Sequence, residues 1–315
     1  MRRSRYLAGA ALALALASAC DTVTEPVFGA GCQQGTLHPG DTVIAAFTTA
    51  SCQMELNIWS YSRTPYAGYA VHLTRGHAYM FRLDPIPDPA DPSSRWVDAL
   101  LALWGKNAEG NSVPLAMSDD DAGDRNSVLW FVAPVSGTFE LVASSCWYDE
   151  LGGYRLTMHE CPVLGALDTA GTYTFTLAAS PCIRPKAYTT QDTAAYSFLT
   201  FPAAPGEAVN VSVDAAAFPP VWELSAPGFD TYAYVYDASR YSKTKGIGNT
   251  AGFTMGAVGG LVTLAVGATT VDSTSGTFSL TLTRTPSPAP PAGAAQWSVD
   301  QAPLMARKAP PLKTH

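Results

Sequence analysis

Apolar and polar residues alternate with a period of two along much of the chain. The sequence YAVHL places Tyr69, Val71 and Leu73 on one face, and three further stretches alternate in the same way: AYMFRL, TFELVA and YRLTM. Half-buried antiparallel strands require this period. Clusters of Gly, Pro, Asn and Asp separate the stretches, as expected for turns. No long amphipathic helix pattern follows the N-terminal segment, so the pattern predicts an all-β protein.

The strand-like blocks of the first half recur in the second half. Cys52 aligns with Cys182 at an offset of 130 residues. Four further blocks align in the same order: 75–84 with 205–214, 97–104 with 229–236, 136–145 with 259–268, and 152–158 with 276–282. Such self-similarity indicates a duplicated fold. We therefore predict two tandem antiparallel β-sandwich domains of jelly-roll type, at residues 30–160 and 161–284.

The first twenty residues have the pattern of an export signal. Arg2, Arg3 and Arg5 precede an apolar run that is too short to span a membrane. The sequence LASAC that follows resembles a bacterial lipobox. We therefore predict that residues 1–19 are a lipoprotein signal peptide and that Cys20 is lipidated.

A lipid anchor would hold the protein at the bacterial cell envelope, at the outer membrane or facing the periplasm, because two acyl chains bind a bilayer stably. Cleavage before Ala19 by an ordinary signal peptidase is the alternative. Residues 20–29 are predicted to be a linker. Residues 285–315 are rich in Pro and Ala with little periodicity, which predicts a disordered tail.

The charge of the chain excludes two classes of partner. The formal net charge is −7, and it becomes −10 when the three arginines of the signal peptide are removed. An acidic chain without a basic cluster does not attract nucleic acid or anionic membrane surfaces. We therefore predict no nucleic-acid partner and contact with the membrane only through the lipid anchor.

The spacing of the cysteines predicts two local disulfides. Cys32 and Cys52 lie 20 residues apart, Cys161 and Cys182 lie 21 apart, and each pair opens its repeat. Export permits disulfides, and closing a loop of ~20 residues contributes on the order of 3 kcal/mol in the chain-entropy model. Cys146 is left over, because the second repeat has no cysteine at that place. It is a reactive thiol, a link to a partner chain or a semi-buried side chain, and the last is favoured.

A dense group of aspartates occupies residues 119–124. Calcium takes six to eight oxygen ligands, several of them carboxylates, so Asp119, Asp121 and Asp124 are candidate calcium ligands. The equivalent segment of the second repeat, 241–253, contains no carboxylate and two lysines. The fold itself therefore does not require calcium at this turn. In the alternative, the aspartates cap backbone N–H groups.

Aromatic side chains concentrate in two segments of the first domain that are predicted to be loops. Trp59 and Tyr61 lie in one segment, and Trp147 and Tyr148 lie in the other. Together they are predicted to form an exposed surface that binds a glycan or a peptide. The alternative is that the rings cover the ends of the core. The acids at positions 149 and 150 fall in a turn where carboxylates are commonly solvated.

The residue pattern does not predict an enzyme. A nucleophilic triad needs a His close to a Ser or Cys together with an orienting acid, and residues 161–284 contain no His. His72 and His77 flank a glycine turn, but further zinc ligands are not evident from the sequence. The GxSxG, HExxH and CxxC motifs do not occur.

Five motifs follow one another in the first domain: a strand pair around Gly76, the aspartate-led strand VDALLALW, the turn SDDDAGDRNSV, and the strands GTFELVAS and GGYRLTM. Their order resembles that of the bacterial pre-peptidase C-terminal domain family. The resemblance covers nearly all of the first domain and, more weakly, the second. It implies two tandem copies of a β-sandwich that serves secreted bacterial proteins as an adhesion or substrate-binding module and is not catalytic.

The sequence thus predicts a non-catalytic cell-envelope lipoprotein with two β-sandwich modules that bind an envelope polysaccharide or protein. The only cofactor it suggests is the calcium ion of the first domain. One alternative is an accessory module of a separately encoded secreted peptidase. Another is an enzyme with an unrecognised site on the loops of the first domain.

Overall fold

The computed structural model shows an all-β protein, which confirms the predicted fold class. It describes thirteen segments of the chain: 31–56, 62–87, 97–106, 112–119, 125–146, 150–177, 180–185, 193–215, 220–225, 236–237, 250–254, 260–268 and 276–286.

The strands of the first half are numbered in chain order: β1 Gln33–Leu37, β2 Thr42–Phe47, β3 Cys52–Leu56, β4 Ser62–Leu73, β5 Ala78–Ile86, β6 Ala99–Lys106, β7 Ser112–Asp119, β8 Ser127–Val132, β9 Gly137–Ser145 and β10 Gly152–Cys161. Those of the second half are β11 Val163–Ala166, β12 Gly171–Leu177, β13 Ile183–Pro185, β14 Thr193–Ala203, β15 Ala208–Asp214, β16 Pro220–Ser225, β17 Tyr236–Asp237, β18 Thr250–Thr254, β19 Gly260–Ala268 and β20 Gly276–Thr285.

These strands form four sheets in two matching pairs. In the first half, one sheet has the order β1-β4-β9-β6-β7, with β3 also pairing β4, and the other has the order β2-β10-β5-β8. In the second half, the orders are β11-β14-β19-β16-β17, with β13 pairing β14, and β12-β20-β15-β18. The two halves therefore share one topology, and they are called the first and the second sandwich below.

The pairing is antiparallel except at one place in each sandwich. β1 runs parallel to β4, and β11 runs parallel to β14. The remaining strand pairs are antiparallel, as predicted for β-sandwiches. A parallel pair needs a long connection, and two intervening strands provide it in each sandwich. This pairing joins residues distant in sequence, and local alternation does not specify it.

The alternation predicted from the sequence defines the core of the first sandwich. Tyr69, Val71 and Leu73 of β4 all lie in its buried cluster, as the period of two requires. Leu141 of β9 lies beside them in the same sheet, Phe81 of β5 belongs to the opposite sheet, and both are fully buried in the same cluster. Burial of each such side chain contributes about 1.5–3 kcal/mol relative to an exposed one.

The two sandwiches pack against each other through a separate apolar layer. Met80 of β5 and Trp130 of β8 point away from the first core and meet Tyr196 and Phe198 of β14. The ring centroids of Trp130 and Tyr196 lie 5.0 Å apart, and those of Trp130 and Phe198 lie 6.0 Å apart. An apolar layer between the sandwiches opposes their separation, because separation would expose these rings to water.

Both disulfides predicted from cysteine spacing are present. Cys32 bonds to Cys52 and Cys161 bonds to Cys182, and each pair has a Cα–Cα distance of 5.6 Å. The first bridge lies at the edge of the first sandwich, and the second lies within the apolar layer between the sandwiches. The two bridges therefore occupy equivalent positions in the repeat, but they are surrounded by different residues.

A hydrogen-bonded side-chain pair also recurs, with the carboxylate at the other of the two positions. In the first sandwich, His77 Nδ1 lies 2.6 Å from Glu160 Oε1. In the second, Glu207 takes the place of the histidine, and its Oε1 accepts a hydrogen bond of 2.6 Å from Arg284 Nε. The pair joins the turn before β15 to the end of β20. The repeat therefore keeps a polar pair at this place but exchanges which of the two positions has the carboxylate.

Candidate functional site

Three segments singled out in the sequence leave the first sandwich at one end, which we call the turn end. Residues 57–61 join β3 to β4, residues 120–126 join β7 to β8, and residues 146–151 join β9 to β10. Tyr66, near the start of β4, pairs with Ser144, near the end of β9. The first and third segments therefore leave the sheet on the same side.

The register of β6 brings the aspartate segment to this end as well. Ala99, the first residue of β6, pairs with Ser145 of β9. Leu100 pairs with Asp119, the last residue of β7. Local alternation could not predict this convergence, because it depends on which strands are neighbours and on their register.

Glu150 is buried at the turn end and connects two of its segments by hydrogen bonds. Its side chain is 6% exposed, and its Oε2 accepts a hydrogen bond of 2.7 Å from the Asp98 N–H and one of 2.5 Å from the Ser145 hydroxyl. The expectation of a solvated acid at this position is therefore wrong. The carboxylate is buried because it satisfies a backbone N–H and a hydroxyl that would otherwise lack partners.

Arg125 and Asp98 tie the same segments together through their backbones. The Arg125 carbonyl accepts a hydrogen bond of 3.0 Å from the Ala99 N–H, and the Asp98 carbonyl accepts one of 2.7 Å from the Cys146 N–H. Arg125 has a φ of 63°, in the left-handed region that non-glycine residues rarely adopt. Its guanidinium Nη1 lies 3.9 Å from Glu150 Oε1. The starts of β6 and β8 and the end of β9 are thus fixed relative to one another.

Most of the predicted site residues lie outside the described residues. Of the calcium candidates, only the backbone of Asp119 is described, as the end of β7. Calcium binding therefore stays a prediction. The others that lie outside the described residues are Cys20, Trp59, Tyr61, Asp121, Asp124, Trp147 and Tyr148.

The two histidines that flank the glycine turn do not share a site. His72 Nδ1 lies 2.8 Å from the Thr138 hydroxyl, whereas His77 Nδ1 contacts Glu160 as described above. Within the described segments, no group of three or more His, Cys, Asp or Glu side chains is placed to hold a metal ion. A membrane-spanning helix is likewise not found in the part of the chain that the structure describes.

Glu140 is a partly buried acid on the outer face of the first sandwich. It lies on β9 opposite Trp104 of β6, so the two side chains share a face. Burial raises the pKa of Glu140 from 4.5 to about 7, and the nearby positive charge of Lys106 opposes this rise. Glu140 therefore keeps its proton in the folded state over a range in which an unfolded chain would lose it.

This raised pKa predicts that folding stability falls as the pH increases from about 4.5 to about 7. Glu140 is partly exposed, so we expect a loss of about 1–2 kcal/mol after allowance for solvent screening. In Glu140→Gln, which cannot ionise, this part of the pH dependence should disappear. Urea unfolding at pH 5 and pH 8 measures the difference. Equal pH dependence in the two proteins would contradict the prediction.

Comparison with known proteins shows similarity only at low identity. No family model matches the chain, and no curated protein matches it. The periplasmic inhibitor of g-type lysozyme from Aeromonas hydrophila, PliG, is 11% identical with a TM-score of 0.26, and the alignment covers 39% of this chain and 98% of that chain. The surface-associated copper-binding protein CorA of Methylomicrobium album is 12% identical with a TM-score of 0.23, and the alignment covers 38% of this chain and 96% of that chain.

A longer match is to tripeptidyl peptidase 2, at 13% identity and a TM-score of 0.24, covering 79% of this chain and 24% of that chain. All three TM-scores are below 0.5, so these similarities do not indicate a function for this chain. The resemblance to the pre-peptidase C-terminal domain family stays a prediction from the sequence motifs.

Proposed function

We propose that this chain is a non-catalytic binding protein of the bacterial cell envelope, and that its first sandwich binds an envelope polysaccharide at the turn end. The observation that supports this most is the convergence of three segments on one end. Two of them contain the aromatic residues Trp59, Tyr61, Trp147 and Tyr148, and the third contains the aspartates.

The turn end is suited to binding because its base is rigid. Glu150 is buried and hydrogen-bonded, and Arg125 and Asp98 join three strands through backbone hydrogen bonds. Binding loops on a fixed scaffold lose less conformational entropy when a ligand docks. Aromatic rings provide large apolar faces for sugar rings, and the Tyr hydroxyl and Trp N–H groups add polar contacts.

The second sandwich differs from the first in the features proposed to bind the ligand. Its segment equivalent to the aspartate turn is built without acids, and its outer sheet face displays exposed hydroxyl side chains such as Thr174 and Thr283. The equivalent outer face of the first sandwich has Met80 and Trp130, which contact the second sandwich. The acid-rich turn and the four aromatic residues named above belong to the first sandwich, so we assign the ligand to the first sandwich.

Retention on isolated insoluble peptidoglycan tests the proposal. The full exported chain should sediment with peptidoglycan, and Trp59→Ala and Trp147→Ala should each weaken retention about tenfold, because the loss of an aromatic anchor costs 1–2 kcal/mol or more. Ile44→Ala is the matched control, since Ile44 is a large apolar residue that is 69% exposed on β2. Its retention should equal that of the unmodified chain.

Two other outcomes would contradict the proposal. Equal retention of the tryptophan variants and the unmodified chain would show that the turn end is not the binding surface. Co-purification of a secreted peptidase, without retention on peptidoglycan, would instead support the accessory role. Turnover that is lost on substitution of Asp98 or Asp119 would support an enzyme.

A further inference from the structure

Strand β12 forms an edge of the second sandwich. It lies at one end of the sheet β12-β20-β15-β18, and among the described residues it pairs only with β20. Gly171–Leu177 pair with β20 without a bulge and contain neither a charged residue nor a proline. Edge strands usually have charges, prolines or bulges that prevent pairing with another chain. The open side of β12 therefore presents backbone N–H and C=O groups to which a further strand can pair.

The sequence of β12 is nearly symmetric about Thr174. It reads TYTFT from Thr172 to Thr176, with one aromatic residue on either side of the central threonine. When two copies run antiparallel about a two-fold axis at Thr174, Thr172 lies opposite Thr176 of the second copy. Tyr173 then lies opposite Phe175 of the second copy. Threonine thus meets threonine and ring meets ring, as a self-complementary contact between identical chains requires.

The three threonines of β12 are exposed on the outer face of the sheet: Thr172, Thr174 and Thr176. On the side of β20, Thr172 already forms a cross-strand pair of this kind, because its Oγ1 lies 3.1 Å from Thr281 Oγ1. Opposed threonines stabilise neighbouring strands through such hydrogen bonds. A second β12 would continue the same hydroxyl pairing on the open side of the strand.

The two rings of β12 lie at the rim of the second core and are only partly buried. Tyr173 and Phe175 pack against this core, and their ring centroids are 6.3 Å apart. The Tyr173 hydroxyl donates a hydrogen bond of 2.6 Å to the Thr169 carbonyl, and Phe175 lies 5.7 Å from Phe278. The rings are therefore held in place at the edge. Two crossed Tyr–Phe pairs between copies would remove more of their surface from water.

Two observations favour a second copy over an unrelated peptide as the occupant of this edge. The symmetry of the strand matches only a partner with the same sequence, and the absence of charge means that no like charges meet when two copies pair. The equivalent edge β2 lacks this symmetry, because Val43 and Ala45 occupy the places of Tyr173 and Phe175. The self-complementary edge is therefore a property of the second sandwich.

We propose that two copies of this chain associate in solution through antiparallel pairing of their β12 strands. The pairing continues the ladder that β12 already forms with β20 and joins two four-stranded sheets into one sheet. It would form about seven backbone hydrogen bonds, within the range of about 5–15 found in protein interfaces. The association does not depend on the ligand proposed for the turn end, which belongs to the first sandwich.

Sedimentation equilibrium of the full exported chain, in a density-matched detergent that masks the contribution of any lipid anchor, tests the pairing. The unmodified chain should show a concentration-dependent equilibrium between monomer and dimer. Thr174→Lys places two lysines opposite each other at the axis, so the dimer dissociation constant should rise at least about tenfold. Thr174→Glu should have the same effect. An equimolar mixture of the two variants should dimerise again, because each pair then joins a lysine to a glutamate.

Ile44→Lys is the matched control. Ile44 lies opposite Arg155 on β2 as Thr174 lies opposite Ser279 on β12, and it is 69% exposed. This variant should associate as the unmodified chain does, and far-UV circular dichroism should show that all variants keep their strands. An unmodified chain that stays monomeric at the highest soluble concentration would overturn the proposal. A dimer that persists in Thr174→Lys, or a mixture that stays monomeric, would also overturn it.

Discussion

Replacing Arg284 with alanine is expected to lower the free energy of unfolding by about 2–4 kcal/mol. The guanidinium donates two hydrogen bonds to Glu207, of 2.6 and 2.9 Å, and further bonds to the carbonyls of Pro202 and Asp168. Glu207 is 5% exposed. Removal of Arg284 would therefore leave a buried carboxylate without its counter-charge. Denaturant unfolding at pH 7 measures the loss.

The pH dependence distinguishes this charge effect from lost packing. The hydrogen bonds from Arg284 lower the pKa of Glu207 below its ordinary value of 4.5. The stability that the pair contributes is therefore present above pH 4.5 and is lost as the pH falls through the lowered pKa. Arg284→Ala should lose this acid-dependent component. Arg284→Lys keeps the charge but not the paired geometry, and should retain part of it. An unchanged acid profile in Arg284→Ala would contradict the assignment.

The second large effect is expected from Phe198→Ala, which should destabilise the protein by about 3–5 kcal/mol and weaken the coupling between the sandwiches. Phe198 is fully buried, yet it lies on the outer face of β14 and contacts Trp130 of the first sandwich. The alanine substitution would leave a cavity in the apolar layer that the two sandwiches share. We therefore expect the calorimetric transition to separate into two, one for each sandwich.

Phe201→Ala is the matched control, because Phe201 lies on the same strand, is equally buried, and faces the core of the second sandwich. It should cost a similar free energy while leaving the contact between the sandwiches intact. If Phe198→Ala and Phe201→Ala give the same transition shape, the layer does not couple the sandwiches.

The core was predictable because strand burial follows a local period. Tyr69, Val71 and Leu73 were placed on one face by alternation, and all three lie in the first core. The hydrogen-bonded position of Glu150 was not predictable in this way. A carboxylate is buried when a backbone N–H and a hydroxyl from distant positions meet it, and the sequence around an acid does not record those partners.

Contacts on the outer faces of the sheets were likewise not predictable from the sequence. Alternation indicates that Trp130 and Phe198 point away from their cores, but it does not state what covers them. The covering residue belongs in each case to the other sandwich. Local pattern assigns a side chain to a face, whereas contact between faces depends on how two folded units dock.

The sequence by itself determined the all-β class, the duplication and the pairing of Cys32 with Cys52 and of Cys161 with Cys182, because each rests on local periodicity or on spacing repeated along the chain. Only the tertiary structure decided that three separate segments leave one end of the first sandwich, that the sandwiches share an apolar layer, and that the sulfur of Cys146 is part of a disulfide. These features depend on strand order, register and contacts between residues far apart in the chain, which local patterns do not encode.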